Sequence, residues 1–345
     1  MIKSSNGVVT YMGITAKELA KELGVSPAAV SLALNDKPGV STETRKRIKE
    51  AAERLGYDFH KIKLNKKIDG SIYFIICKRN GTVLTDTPFF AELADGVLNE
   101  GKSLGYKLNT IYTYEDELDD KKLSDIKYSD CIGMIILGTE ITAPSLEKFI
   151  QLNLPLVLLD SYIEQIDCDC VQINNIQGAY IATMHLIKKT KKQPGHLASS
   201  YPINNFQERR EGFTRAIRSS GMSITQSITH WLTPSMDGAY SDMIELIKRK
   251  EPLASCYFAD NDLIAAGAMK AFIECGYRIP EDIAIVGFDN MPISRMTSPS
   301  LTTINVPKQD MGAEAMRRLH FRIHNPNSAY TKTEIITNLI DRYSC

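Results

Sequence analysis

Four polar side chains, Asp160, Asn261, Asp262 and Asp289, stand at or just beyond the ends of the apolar runs LPLVLLD, CYFAD and AIVGFD. Short apolar runs bounded by polar residues read as buried strands, which places these groups at strand ends and not on helix faces. A carboxylate accepts hydrogen bonds from neighbouring hydroxyls, an amide both donates and accepts, and aromatic rings cover apolar C–H patches. Such a set suits a polyhydroxylated ligand. A carboxylate at a strand end can equally cap the next helix, so the reading rests on the group and not on any single member.

The elements that would carry these residues alternate along the chain. Strands are expected at 72–77, 107–112, 133–137 and 156–159, separated by helices near 89–104 and 144–152. A second series follows, with strands at 195–199, 228–231, 256–258 and 284–287 and helices near 206–219, 238–250 and 261–275. This order predicts two doubly wound parallel sheets, hence two lobes, with ligands bound beyond the carboxyl ends of the strands in the cleft between them.

A different pattern occupies residues 14–60. Thr15 and Glu18 have capping-box spacing, so a first helix starts near Ala16. Gly24 suits a helix C-terminus, and Ser26-Pro27 supply an N-cap and a first-turn proline for a second helix after a turn of helix-turn-helix length. Leu19, Ala20, Leu23, Val25, Val30 and Leu34 can share one small core. That leaves Pro27, Ala28, Ser31 and Leu32 on the outer side of the second helix, where DNA bases would be met. Ser41 caps a third helix that closes the cluster through Ile48, Ala51, Ala52 and Leu55.

Charge divides along the same line. The chain of 345 residues has 41 basic and 41 acidic side chains, yet residues 1–67 hold 13 basic against 7 acidic and the remainder 28 against 34. A basic head suits a polyanion because phosphate contacts release counterions. No apolar run approaches the length of a membrane span, and the start MIKSSNGVVTYMG lacks an apolar signal core, so a cytoplasmic protein is expected, with residues 1–13 loose. Seven cysteines without a CxxC pair read as reduced thiols. His320 and His324 stand one helical turn apart without a third ligand nearby, and no glycine-rich phosphate loop or Ser-His-Asp set follows a strand, so neither a metal site nor an enzyme is expected.

Head and body together resemble the LacI/GalR family of bacterial transcription regulators. The resemblance is carried in order by GVSPAAVSLALNDKPGVSTETRKRI, PFFAEL at Pro88–Leu93, RREGF at Arg209–Phe213, ADNDLIAAGAM at Ala259–Met269, IPEDIAIVGFDN at Ile279–Asn290 and SLTTINVP at Ser300–Pro307. It implies an all-α, lambda-repressor-like helix-turn-helix head followed by a two-lobed periplasmic-binding-protein-like domain of type I. The expected parts are a DNA-binding domain at 14–60, a hinge at 61–71 and an effector-binding and dimerisation domain at 72–345. Within the last, lobe 1 would hold 72–173 and 305–331 and lobe 2 would hold 174–304 and 332–345, with crossings near Val171–Asn175, Thr303–Val306 and Thr331–Ile335.

By the same resemblance Phe89, Phe90 and Asp160 would meet an effector from the first lobe, and Arg209, Asn261, Asp262 and Asp289 from the second. Tyr240 falls where an aromatic ring often covers a sugar. The implied partners are double-stranded operator DNA, a second copy of the chain and a small effector, a sugar or sugar derivative, with no cofactor and no membrane. Two departures stand out. Pro27, Ala28 and Leu32 cannot donate to guanine, so readout would lean on thymine methyls, on phosphate contacts from Ser26, Ser31 and Asn35, and on DNA shape, with Thr15 as a further DNA-binding residue. The hinge text DFHKIKLNKKIDGS lacks the usual A-R-x-L helix, which leaves Leu64 as the available minor-groove wedge. A solute-binding protein of a transport system shares the two-lobed body but not the head.

Overall fold

The computed structural model describes residues 14–34, 39–55, 57, 70–79, 81, 83–84 and 88–345. The chain divides into two compact units, Met1–Asp69 and Gly70–Cys345. Asn35, Leu64, residues 1–13 and nearly all of the expected hinge lie outside the described residues.

In the first unit α1 (Ala16–Leu23), α2 (Pro27–Leu34) and α3 (Thr42–Arg54) form the expected cluster. Thr15 completes a capping box with Glu18, and Gly24 ends α1 at φ 62°, a left-handed conformation that costs glycine little. The hydroxyls of Ser26 and Ser41 accept the backbone N–H of Ala29 and of Thr44, each at 3.1 Å. Leu19, Val30, Ala33, Ile48 and Ala52 are fully buried where the three helices meet.

The second unit opens with β1 (Ser71–Lys78), α4 (Pro88–Ser103), β2 (Lys107–Tyr114), α5 (Asp120–Lys127), β3 (Cys131–Leu137), α6 (Ala143–Ile150), β4 (Leu156–Leu159) and β5 (Asp169–Ile173). It continues with α7 (Asn175–Thr190), β6 (Gly195–Ser199), α8 (Asn204–Ser219), β7 (Thr229–Leu232), α9 (Met236–Lys248), β8 (Cys256–Ala259), α10 (Asp262–Glu274) and β9 (Ala284–Asp289). The last elements are α11 (Ile293–Met296), β10 (Thr302–Asn305), α12 (Lys308–His324), β11 (Lys332–Ile335) and β12 (Asn338–Ile340). They build two six-stranded sheets, ordered β11-β5-β4-β3-β1-β2 and β12-β10-β9-β8-β6-β7. All pairings are parallel except β10 with β12. The central strands β4, β8 and β9 are buried along their whole length because helices cover both faces, which explains their unbroken apolar text.

The chain passes between the sheets after β5, after β10 and after β11. The third passage corrects an expected boundary. Lys332–Ile335 pairs residue by residue with Cys170–Ile173, so it belongs to the first lobe, and the chain crosses only at Ile336-Thr337. Asp169 holds that edge: fully buried, its carboxylate accepts from Arg318 Nε at 2.7 Å, Arg322 Nε at 2.6 Å and the Thr331 N–H at 2.9 Å.

Helices α4 and α12 pack against each other at a glycine pair. A Cβ on Gly96 would stand 2.1 Å from the carbonyl oxygen of Gln309, and one on Gly312 would stand 2.1 Å from that of Leu93. Only a hydrogen at each position lets the two backbones approach so closely.

Candidate effector cleft and DNA-reading helix

Side chains at the strand ends of both lobes face one cleft. β4 ends in Asp160, held at φ 62° and almost fully buried. Its Oδ2 accepts from Thr139 Oγ1 at 2.6 Å, and its Oδ1 accepts from Asn205 Nδ2 of the other lobe at 3.1 Å. Burial pushes the Asp160 carboxyl up to about 7 despite those donors, because charge is costly away from water.

Arg209 lies opposite, on the inner face of α8, with 3% of its surface exposed. Its guanidinium is fixed on every side. Nε donates to Asn175 Oδ1 at 2.9 Å, Nη1 donates to the carbonyl of Asp260, and the group stands 3.8 Å above the Phe288 ring. Nη2 faces Asp289 Oδ1 at 3.1 Å as an ion pair outside good hydrogen-bond geometry. Burial raises the Asp289 carboxyl above the usual range while Arg209 opposes the rise. The carbonyl that orients Arg209 is itself anchored, since the Asp260 carboxylate accepts the Ser199 N–H at 2.8 Å and lies 2.7 Å from His196 Nε2.

Phe89 and Phe90, in the first turn of α4, meet edge to face with centroids 5.0 Å apart and close the cleft from the first lobe. Asn261 lines it from the second; its Oδ1 caps α10 by accepting the Ile264 N–H at 2.8 Å, so Nδ2 is what it can offer a ligand. These walls line a small cleft with a cavity volume of about 40 Å³. The cleft is therefore narrow. The buried Asn205 Oδ1 on its wall has no hydrogen-bond partner among the described residues, which is costly unless a ligand or water supplies one.

Two expected residues are elsewhere. Asp262 is fully buried behind the cleft, where its carboxylate accepts Thr303 Oγ1 and the Met291 N–H and ties β10 and the loop after β9 to α10. Burial pushes its carboxyl up to about 8. Its carboxylate is turned to Thr303 and Met291, and Asn261 and Leu263 on either side of it line the wall instead. Tyr240 bonds Glu274 through its hydroxyl at 2.8 Å, and the Lys270 ammonium sits 4.4 Å from its ring, which places it between α9 and α10 outside the cleft. Conversely Thr139, Asn175, Asn205, Asp260 and Phe288 were missed. Thr139 follows β3 as Asp160 follows β4, so the same strand-end rule would have found it.

On α2 the exposed residues are Pro27, Ala28 and Ser31, with Leu32 half-buried. The exposed face is thus apolar apart from hydroxyls. The Thr15 hydroxyl donates to Glu18 Oε2 at 2.7 Å and accepts the Glu18 N–H at 3.3 Å, so capping already uses both functions.

Residues 15–58 match the lacI family of bacterial regulatory proteins, and residues 183–345 match the periplasmic binding protein-like domain. The HTH-type transcriptional repressor PurR of Pasteurella multocida is 30% identical over 96% of this chain and 98% of its own. The chain belongs to the lacI family of bacterial regulatory proteins. It is a DNA-binding transcriptional repressor under effector control. The ribose operon repressor of Halalkalibacterium halodurans is 31% identical over 95% of this chain and 96% of its own. Among solved structures, a complex of the transcriptional regulator CelR with cellobiose superposes with a TM-score of 0.71 over 96% of this chain and 100% of its own. At 23% identity that likeness speaks for the fold. Among the described residues no helix is long and apolar enough to cross a membrane.

Proposed function

We propose that the effector is an uncharged, polyhydroxylated carbohydrate held between the lobes by Asp160, Arg209, Asn261 and Asp289 against Phe89 and Phe90. The observation that carries this reading is the fixed Arg209 guanidinium, aimed with Asp289 into the same cleft as Asp160 of the other lobe. Acceptors and donors on both walls suit hydroxyls, and the two rings suit the C–H face of a sugar. The one arginine of the lining is already faced by Asp289, which leaves little positive charge for a phosphate, so sugar phosphates are disfavoured. A relative named for the ribose operon and a neighbour that holds cellobiose support the same ligand class.

The repressor acts as a homodimer in the cytoplasm and reads a two-fold operator through α2, as two-fold proteins read two-fold sites. Ser26 and Ser31 serve phosphates, while Pro27, Ala28 and Leu32 meet thymine methyls. The effector controls operator affinity to the extent that it binds the DNA-competent and incompetent forms unequally. Titration calorimetry with neutral sugars and their phosphates, combined with footprinting on selected DNA, tests the reading. Neutral sugars should bind with at least tenfold preference over their phosphates and change the affinity of a protected palindrome; tighter binding of the phosphates would overturn the ligand class.

A further inference from the structure

Strand β6 lies between β8 and β7, where apolar side chains are expected on both faces, yet it carries a histidine. His196 pairs in register with Thr229 of β7 and Phe258 of β8, and only 1% of its surface is exposed. Its ring stacks with Phe213 of α8 at 4.9 Å and with Phe258 at 5.5 Å between centroids, so by shape it is one ring of an aromatic column. A phenyl ring would fill that place without the cost of burying a polar group. What a phenyl ring would lack is the donor Nε2, 2.7 Å from Asp260 Oδ1.

Asp260 follows β8, is equally buried, and is clasped along the length of β6. Its Oδ1 takes His196, its Oδ2 accepts the Ser199 N–H at 2.8 Å, and its own N–H donates to the Leu197 carbonyl at 3.0 Å. The clasp fixes the direction of the peptide that follows, whose carbonyl accepts Arg209 Nη1. Neither His196 nor Asp260 lines the cleft. A second path runs from His196 to Arg209 through rings alone: Phe258 meets Phe288 edge to face at 6.4 Å, and Phe288 lies under the guanidinium at 3.8 Å. The two paths can be cut separately, since only the first needs a nitrogen.

We propose that His196 is a positioning residue for effector recognition, which sets the stance of Arg209 by holding the Asp260 carboxylate. This rests on the reading of Arg209 as an effector contact given above. Hydrogen bonds to a charged group are strong in a dry interior, so a buried carboxylate loses much when one donor goes. Left with the Ser199 N–H alone, the Asp260 side chain is free to turn, and the carbonyl bound to Arg209 turns with it. The guanidinium then loses the register in which Asn175 and Asp289 also meet it.

The test is side-chain hydrogen exchange by NMR on the full chain, isotope-labelled at arginine nitrogen and read at the Arg209 Nε–H, whose signal is assigned by its absence in Arg209→Lys. His196→Phe keeps the stack and removes the donor, whereas His196→Gln gives back a donor near the place of Nε2. Exchange should quicken about tenfold or more in His196→Phe and stay within about threefold of the parent in His196→Gln. Added to Asp260→Ala, His196→Phe should change the rate less than about twofold, because the group it acts through is gone. Equal exchange in the parent and His196→Phe, equal quickening in His196→Gln, or the same effect of His196→Phe with and without the Asp260 carboxylate would overturn the proposal, the last by reducing His196 to packing. Calorimetry with ribose and cellobiose carries the result to the cleft. Whichever sugar binds the parent should bind His196→Phe about tenfold or more weakly and His196→Gln within about threefold. Unchanged affinity beside quickened exchange would overturn the role in recognition. Binding of neither sugar counts against the carbohydrate class alone, and the exchange rates then decide for or against His196 by themselves.

Discussion

The two lobes follow one plan of strand order, yet they face the cleft with different chemistry. The second lobe presents a polar lattice with little freedom: Asn175, Asp260 and Asp289 hold Arg209, and His196 and Ser199 hold Asp260. The first lobe presents Val83, Phe89 and Phe90, carried by a segment after β1 and the first turn of α4, with Asp160 and Thr139 beneath them. Strand ends of similar position can therefore do opposite work. A polar lattice fixes which functional group is recognised, while an apolar wall at a helix start sets the size and shape of what is admitted.

The largest effect should come from breaking the lattice. Arg209→Ala leaves Asp289 buried without its cation, so calorimetry should record at least a hundredfold loss of effector affinity. Urea unfolding should record a loss of about 3 kcal/mol from the same uncompensated burial. An intact affinity would show that the lattice does not face the ligand.

Next in size is the support of the first lobe. In Glu140→Gln the amide nitrogen would confront two backbone N–H groups that now meet an oxygen, so the hold on Arg79, Gly81, Val83 and Leu84 should loosen and effector affinity should fall about tenfold. Global stability should fall by about 1–2 kcal/mol, because the lost bonds are local. A drop in affinity equal to that of Arg209→Ala would erase the distinction between the lobes.

A third comparison uses protons. The carboxyls of Asp160 in the first lobe and Asp262 in the second are raised to about 7 and about 8 by burial, so the folded chain keeps protons that the unfolded chain releases. Each therefore contributes stability at acid pH that is lost as pH rises through the folded value. Asp160→Asn should flatten the fall in stability between pH 4 and about 7, and Asp262→Asn that between pH 4 and about 8. Urea midpoints across that range measure both, and unchanged slopes would contradict the assigned burial.

The smallest effect belongs to Tyr240→Phe. It removes only a half-exposed bond to Glu274, so effector affinity should stay within twofold by calorimetry. A larger loss would return Tyr240 to the cleft.

The alternation of apolar runs and amphipathic stretches was enough to locate the two sheets and to place Asp160, Asn261 and Asp289 at strand ends. Caps and glycine positions did the same for the head, because local hydrogen bonds and backbone freedom dictate them. What stayed hidden depends on three dimensions. Asp262 differs from Asn261 by one residue, yet its carboxylate is claimed by Thr303 and the Met291 N–H from segments far along the chain. Asn175 and Asp260 act on Arg209 from segments far along the chain, and no spacing announces such a contact. Lys332–Ile335 is short and polar because it is an edge strand, so its text carried no buried-strand signal.

The glycine pair between α4 and α12 has a bearing on how this protein could diversify. Phe89 and Phe90 ride on the first turn of a helix whose axis is locked, two turns later, to the helix that follows the second crossing. A single added methyl at Gly96 or Gly312 would lever those rings out of register without touching the ligand. Substitutions that retune the effector should therefore gather in the loops and spare this seam, leaving the aromatic wall as the inherited part of the cleft and its rim as the part free to drift.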